Sequence, residues 1–388
     1  LSDNKSSSTS EPTTDGLIQV AFFIAPIIIS LVISALLIMA VGRDPVEVVR
    51  LTWEGAFRNS QSSAGVLNFF ISLMLASLGL IITFRAGLWN IGIEGQMTMG
   101  AIFASIIPMI FLKNEGLNAS DYPSFILMGG GLILAMLGGM FWASVVGFLR
   151  IKLGINEIFG GVALNALANV LTIYLISGPW QPPIGGSAQG TQPFPPETVI
   201  PQYSSNFPTS IFMLGVVLVA FVAVVWLNRT RWGLNLKAVG KNSRSALLLG
   251  VRTEQVSLSA FLVCGALAGL AGAYRVLFTF NSLRPLSAGG IGFLGLLVVL
   301  LVSMRALWVP LVVFIFAAIL SGSTRLRISL QLDSSLANVL QGMLVLLMLL
   351  GNGVRDTYFT RAKKPSSTEP VTPSSAVDQS TQQTEVKS

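Results

Sequence analysis

Ten apolar runs divide the chain: 17–41, 66–84, 97–112, 125–149, 158–177, 211–227, 256–274, 291–304, 308–320 and 336–351. Many approach or exceed the roughly 17–25 apolar residues that a helix needs to cross a bilayer. A spanning chain must satisfy every backbone polar group internally, which leaves helices or a closed barrel. Barrel strands alternate over about ten residues, whereas these runs are continuously apolar. The expected fold is all-α, a polytopic transmembrane helical bundle of about ten spans with broken helices. Composition agrees: 11% of the 388 residues are charged, against about 25% in soluble proteins.

Run 17–41 would be about 37 Å long as a helix, too long for a signal-peptide core, and reads as a retained span. The chain begins at Leu1 rather than Met, so an initiator methionine or short leader is left open. The polar stretches 1–16 and 357–388 flank a transmembrane region of 17–356 and read as disordered tails, because they cannot bury enough apolar area to fold.

Charge orients the bundle. Loop 178–210 has eight prolines and no Lys or Arg. Loop 228–255 carries Arg229, Arg231, Lys237, Lys241, Arg244 and Arg252 against one acid, Glu254. Basic loops stay in the cytoplasm, so the second loop is inside and the first outside. Counting spans from there puts both termini in the cytoplasm. Segment 42–65 then falls outside with Arg43, Arg50 and Arg58, offset by Asp44, Glu47 and Glu54.

Several chemistries are excluded. There is no histidine, which removes Ser-His-Asp catalysis, HExxH zinc sites and histidine proton relays. One cysteine, Cys264, forms neither an internal disulfide nor a zinc or iron–sulfur site. No metal or cofactor is expected on this chain. No GxxxxGK[ST] phosphate loop is present, and Gly240-Lys241-Asn242 lacks both the spacing and the hydroxyl. The net charge of +7 is assigned to membrane orientation and not to nucleic acid.

Four stretches carry polar groups where apolar ones are expected. FRAGLWNIGIEGQMTMGA (84–101) holds Arg85, Asn90, Glu94 and Gln96 among glycines. It reads either as a cytoplasmic turn with solvated charges or as broken backbone at membrane depth, where freed amides and carbonyls become ligands. A buried Glu94 needs a partner, either Arg85 or a nest of backbone amides. RVLFTFNSLRPLSAGGIGFLGL (275–296) breaks similarly at Pro285, Gly289, Gly290 and Gly292, and paired breaks in two halves mark a transporter's binding region. GINEIFGGVALNALANVL (154–171) sets Asn165 and Asn169 on one helix face, and Asn169 is assigned to interhelical hydrogen bonding. NSRSALLLGV (242–251) reads as a short helix capped by Asn242 or Ser243 and stopped at Gly250. Its Leu247, Leu248 and Leu249 either rest on membrane lipid or dock a cytoplasmic partner. GALAGLAGA (265–273) has the small-residue spacing of close helix packing.

GLWNIGIEGQMTMGA, GINEIFGGVALN, GPWQPPIGG, and LKAVGKNSRSALLLGV followed by GALAGLAGA resemble, in that order, the inner-membrane permeases of ABC importers for nucleosides and simple sugars. These are fed by lipoproteins of the basic-membrane-protein type. The resemblance covers about residues 60–350. It implies a type II importer fold in the plasma (inner) membrane and a second permease subunit, like or unlike. It also implies a cytoplasmic ABC ATPase that binds ATP and Mg, and an external substrate-binding lipoprotein. Asn90, Glu94, Gln96 and Asn165 are then expected along the substrate path. Ser243, Arg244, Ala246, Leu247, Leu248 and Gly250 are expected in the ATPase-coupling helix. The usual coupling helix has an acid and an Ala-Ala pair, where this chain has Ser243-Arg244-Ser245-Ala246. The alternative is an ion-coupled secondary transporter or channel, which needs intramembrane carboxylates; Glu94 and Glu157 are the candidates. A membrane enzyme has neither histidine nor a cysteine constellation to work with.

Overall fold

The computed structural model describes residues 32–40, 42–183, 189–302 and 304–330, with isolated positions at 28–29 and between 339 and 350. The expected runs 17–41 and 336–351, and both tails, lie wholly or largely outside these residues. Among the described residues there is no strand; 32–40 are helical, and eleven α-helices follow from Pro45 onward. They are α1 (Pro45–Phe57), α2 (Ser60–Arg85), α3 (Ile93–Lys113), α4 (Ser124–Lys152), α5 (Glu157–Ser177), α6 (Ile211–Leu227), α7 (Arg231–Lys241), α8 (Ser243–Leu248), α9 (Thr253–Tyr274), α10 (Ile291–Leu301) and α11 (Val309–Leu330).

Helix starts follow local chemistry. Asp44, Asn59, Asn156, Ser210, Thr230 and Asn242 each accept a hydrogen bond from a backbone N–H of the turn they precede. Each cap satisfies a donor that would otherwise lack a partner.

Six helices are long and apolar enough to cross a membrane, or seven if α6 and α7 form one span bent by 70°. The expected ten are not reached among the described residues. Run 291–304 yields α10, only 11 residues long, because left-handed Gly290 precedes it and left-handed Met304 follows it. Run 97–112 errs the other way. It looks short, yet α3 has 21 residues and starts at Ile93, because Glu94, Gly95 and Gln96 interrupt the apolar run without interrupting the helix. The break is therefore 86–92, and Glu94 sits in a first helical turn.

Contacts sort the connections into two ends. At one end Lys152 pairs with Glu254 at 2.8 Å, Arg85 donates to the Met304 carbonyl, and Gly240 packs on Arg85 and Gly87. At the other, Asn68 donates to the Pro208 carbonyl, Lys113 to that of Gln181, and Thr191 and Phe194 pair with Leu283 and Asn281. Helix α1 belongs to this second end, where Glu54 meets Arg50 at 2.9 Å and Arg325 at 3.3 Å. The hydrogen bond from Arg50 holds the Glu54 carboxyl below its ordinary range.

Helices α2, α3 and α9 form the most buried layer, and α4 and α5 present more apolar surface outward. Small residues let α4 and α9 touch backbone to backbone, as GALAGLAGA predicts. A Cβ on Gly269 would collide with the Ala135 carbonyl oxygen, and one on Gly265 with that of Gly139. Backbone cannot yield as a side chain does, and overpacking costs about 1–3 kcal/mol or more. Gly269→Val is expected to abolish the monodisperse peak of detergent-extracted protein in size-exclusion chromatography. An unchanged peak and melting temperature would show that these helices are not in backbone contact.

Candidate functional site

The first break starts at the basic end and climbs inward. Gly87 meets Gly240, and the Trp89 amide donates to Glu157 Oε1 at 3.4 Å. Glu157 also takes Arg150 Nε at 2.9 Å. By Gly95 the chain packs on Trp142 and Asn165. Trp142 lies about 15 Å along α4 from Lys152, at 1.5 Å per residue. The start of this stretch is thus a turn at the bundle end, and its remainder is buried in the bundle interior, Glu94 included.

There the polar groups satisfy one another. Asn90 and Gln96 are 0% exposed. Asn90 Nδ2 donates to Gln96 Oε1 at 3.1 Å and to Cys264 Sγ at 3.1 Å, and Gln96 Nε2 returns a bond to Asn90 Oδ1 at 2.9 Å. Asn165 stitches α5 to the break: its Oδ1 accepts from the Gly95 amide at 2.7 Å, and its Nδ2 donates to the Ile91 carbonyl at 2.9 Å. Asn169 Nδ2 bonds its own helix, at the Asn165 carbonyl, and its buried Oδ1 takes no hydrogen bond, so the expected interhelical bond is not made within this chain.

Glu94 faces the other way. Its Oε1 accepts from the Gly290 amide at 2.6 Å and its Oε2 from the Gly292 amide at 2.8 Å. Of its two expected partners, the backbone nest is present, and Arg85 binds Met304 instead. The second break thus meets the first. It leaves α9 through a π-helical turn (Arg275–Thr279), pairs with loop 189–200, and folds inward to α10. Arg275 was not singled out from the sequence. It is buried, donates Nε to the Ser287 carbonyl at 3.2 Å, and lies 4.5 Å from the Phe280 ring centroid. It is also within electrostatic range of Glu94. The signal was a lone cation ending the run GALAGLAGAYR.

Loop 228–255 also has more structure than expected, because α7 turns sharply away from α6 before α8 begins. In α8, Asn242 supplies the cap, its Oδ1 accepting from the Ser245 amide at 3.0 Å, and Gly250 takes the left-handed φ of 82° that ends it. Ala246 is buried, while Leu247, Leu248 and Leu249 are 61%, 89% and 83% exposed. Ser243 and Arg244 line a cleft with Gly87, Arg150, Lys241 and Thr253. The polar block and α8 are separate, joined through α7 by the Gly240–Gly87 contact. Among the described residues no group of three or more His, Cys, Asp or Glu is placed to hold a metal ion.

Apolar helices of spanning length, interior broken segments and an exposed apolar helix at the basic end define a multi-pass membrane protein of transporter type. A family profile described as "Branched-chain amino acid transport system / permease component" matches residues 62–349, and the chain belongs to that family. The glucose ABC transporter permease protein TsgB13 of Haloferax volcanii is 27% identical over 332 residues, 83% of this chain and 85% of the relative. The guanosine ABC transporter permease protein NupP of Bacillus subtilis is 26% identical over 339 residues, 85% of this chain and 92% of the relative. The nucleoside ABC transporter permease protein NupC of Lactococcus lactis is 28% identical over 237 residues, 60% of this chain and 72% of the relative. No solved structure matches the chain. It is an ABC transporter permease subunit, a membrane transport component rather than an enzyme. Such subunits carry no cofactor themselves.

Proposed function

We propose that this chain is the translocating subunit of an ATP-driven importer that takes nucleosides from an external binding lipoprotein. Simple sugars are the second reading, favoured by the glucose permease relative. The observation that carries the importer reading is α8: three exposed leucines on a capped helix in a basic loop between spans. Exposed apolar groups rimmed by charge mark a docking surface, and the occupant fitting an ABC permease is the cytoplasmic ATPase that binds ATP and Mg. A second permease chain, like or unlike, completes the path. The polar block of Asn90, Glu94, Gln96 and Asn165 lies beside that path at membrane depth. All four are covered in this structure, so they come into play when the broken segments part. Ion coupling is less well supported, since Glu94 and Glu157 are each engaged by separate partners. Uptake of radiolabelled guanosine and glucose by vesicles holding the chain with its ATPase and binding protein tests the reading. ATP-independent uptake would overturn it.

On the same reading the basic end is cytoplasmic, the proline-rich loop is external, and both termini of the chain are inside. Ser205→Cys is expected to react with an impermeant thiol reagent on intact cells, and Ser243→Cys only after permeabilisation. Both positions are exposed and the native Cys264 is buried, so it contributes no background. The reverse labelling pattern would invert the topology.

A further inference from the structure

The geometry points to Arg85 and Glu94 as positioning residues that clasp the two ends of α10. The inference deepens the transport reading and rests on it for its consequence, though not for its geometry.

Helix α10 is about 16 Å long, at 1.5 Å per residue, too short to cross a bilayer. Short helices are marginal by themselves, and their ends leave amides and carbonyls without partners. Gly290, at the amino end, has no side chain to cap with. Glu94 serves there instead, through its bonds to the Gly290 and Gly292 amides. Beyond the carboxyl end, Arg85 Nη2 donates to the Met304 carbonyl at 3.2 Å. The anion at the amino end complements the helix dipole, and Arg85 holds the turn that follows the carboxyl end, where the Met304 amide bonds the Val299 carbonyl.

Both groups come from the same short stretch. Arg85 is the last residue of α2, and Glu94 lies in the first turn of α3. Segment 86–92 therefore links the two contacts that hold α10 and the turn after it. Sterics agree: a Cβ on Gly292 would stand 2.5 Å from Glu94 Oε2, so only glycine admits the carboxylate. Left-handed residues bracket α10, Gly289 and Gly290 before it and Met304 after it, making each end a sharp turn. The charge pair in FRAGLWNIGIEGQ thus holds the half-helix of the second break to the first. Movement of either break during transport has to carry or release α10.

The test is amide hydrogen exchange by mass spectrometry on the full chain in nanodiscs, with no substrate, ATPase or binding protein present. Glu94→Gln is expected to speed exchange at 290–294 by roughly tenfold or more and to leave 300–306 unchanged. Arg85→Gln is expected to do the reverse. Gly292→Ala, which displaces the carboxylate and keeps both charges, should reproduce the Glu94→Gln pattern. Vesicle uptake at matched expression should fall for each variant. Exchange at both ends within about twofold of the parent would overturn the clasp. A uniform rise along the whole chain would also overturn it, by showing general destabilisation. Loosened ends with normal uptake would overturn its part in transport.

Discussion

Leu248→Asp is expected to abolish uptake and ATPase association while leaving the permease folded in the membrane. Leu248 is 89% exposed, so the substitution removes no packing from the bundle. The anchors of α8 remain: buried Ala246, the Asn242 cap and the left-handed Gly250. In the complex the same side chain would enter a partner groove and lose its water. An unpaired carboxylate in such a groove costs about 3–5 kcal/mol, a loss of roughly two to four orders of magnitude in affinity. Leu247→Asp should behave alike, though less severely, because Leu247 is already 61% exposed and more of it rests on the chain's own surface. Arg244→Ala, at a solvated edge of the cleft, should cost less than about 1 kcal/mol. Co-purification with the ATPase and vesicle uptake are the measurements, and an unchanged size-exclusion profile is the control. Both activities persisting in Leu248→Asp would remove α8 from the coupling role.

What the sequence made legible follows physical range. Hydropathy located six spanning helices because each is a long local signal. The cap and stop of α8 were legible because Asn242, offered with Ser243 as the cap, and Gly250 each act within a turn of a helix end. The small residues of α9 announced close packing, since little else explains so many glycines in one span. The errors came where hydropathy and helicity part. Glu94 and Gln96 are polar yet helical, so α3 looked too short and the break was set too late. Residues 291–301 are apolar yet too short to cross, so α10 looked like a span. Long-range pairings were out of reach. No local pattern announces that Glu94 bonds amides nearly two hundred residues away, or that Arg85 binds Met304. Arg275 was missed because one cation at a span end normally marks the interface, whereas a π-helical turn carries this one inside.

The largest effect on the permease itself is expected from Glu94→Leu. Leucine fills similar space but takes no hydrogen bond, so the Gly290 and Gly292 amides lose their acceptor. Each buried unpaired donor costs about 1–3 kcal/mol. Arg275 would also lose the anion in its electrostatic range and would remain buried with one carbonyl partner. The two amides alone put about 2–6 kcal/mol at stake, a large share of the stability of a typical domain, about 5–15 kcal/mol. Reduced accumulation, a lowered melting temperature in detergent and loss of uptake are therefore expected together. Glu94→Gln separates stability from transport. Its amide oxygen still serves one of the two donors and its volume is unchanged, so assembly and ATPase association should stay near normal. Uptake should still fall, because the charge that fixes α10 against the polar block is gone. Uptake by vesicles at matched expression, with substrate affinity of the binding protein measured separately, distinguishes the two effects. Normal rates in both variants would make the Glu94 contact incidental and leave the meeting of the two breaks without a part in transport.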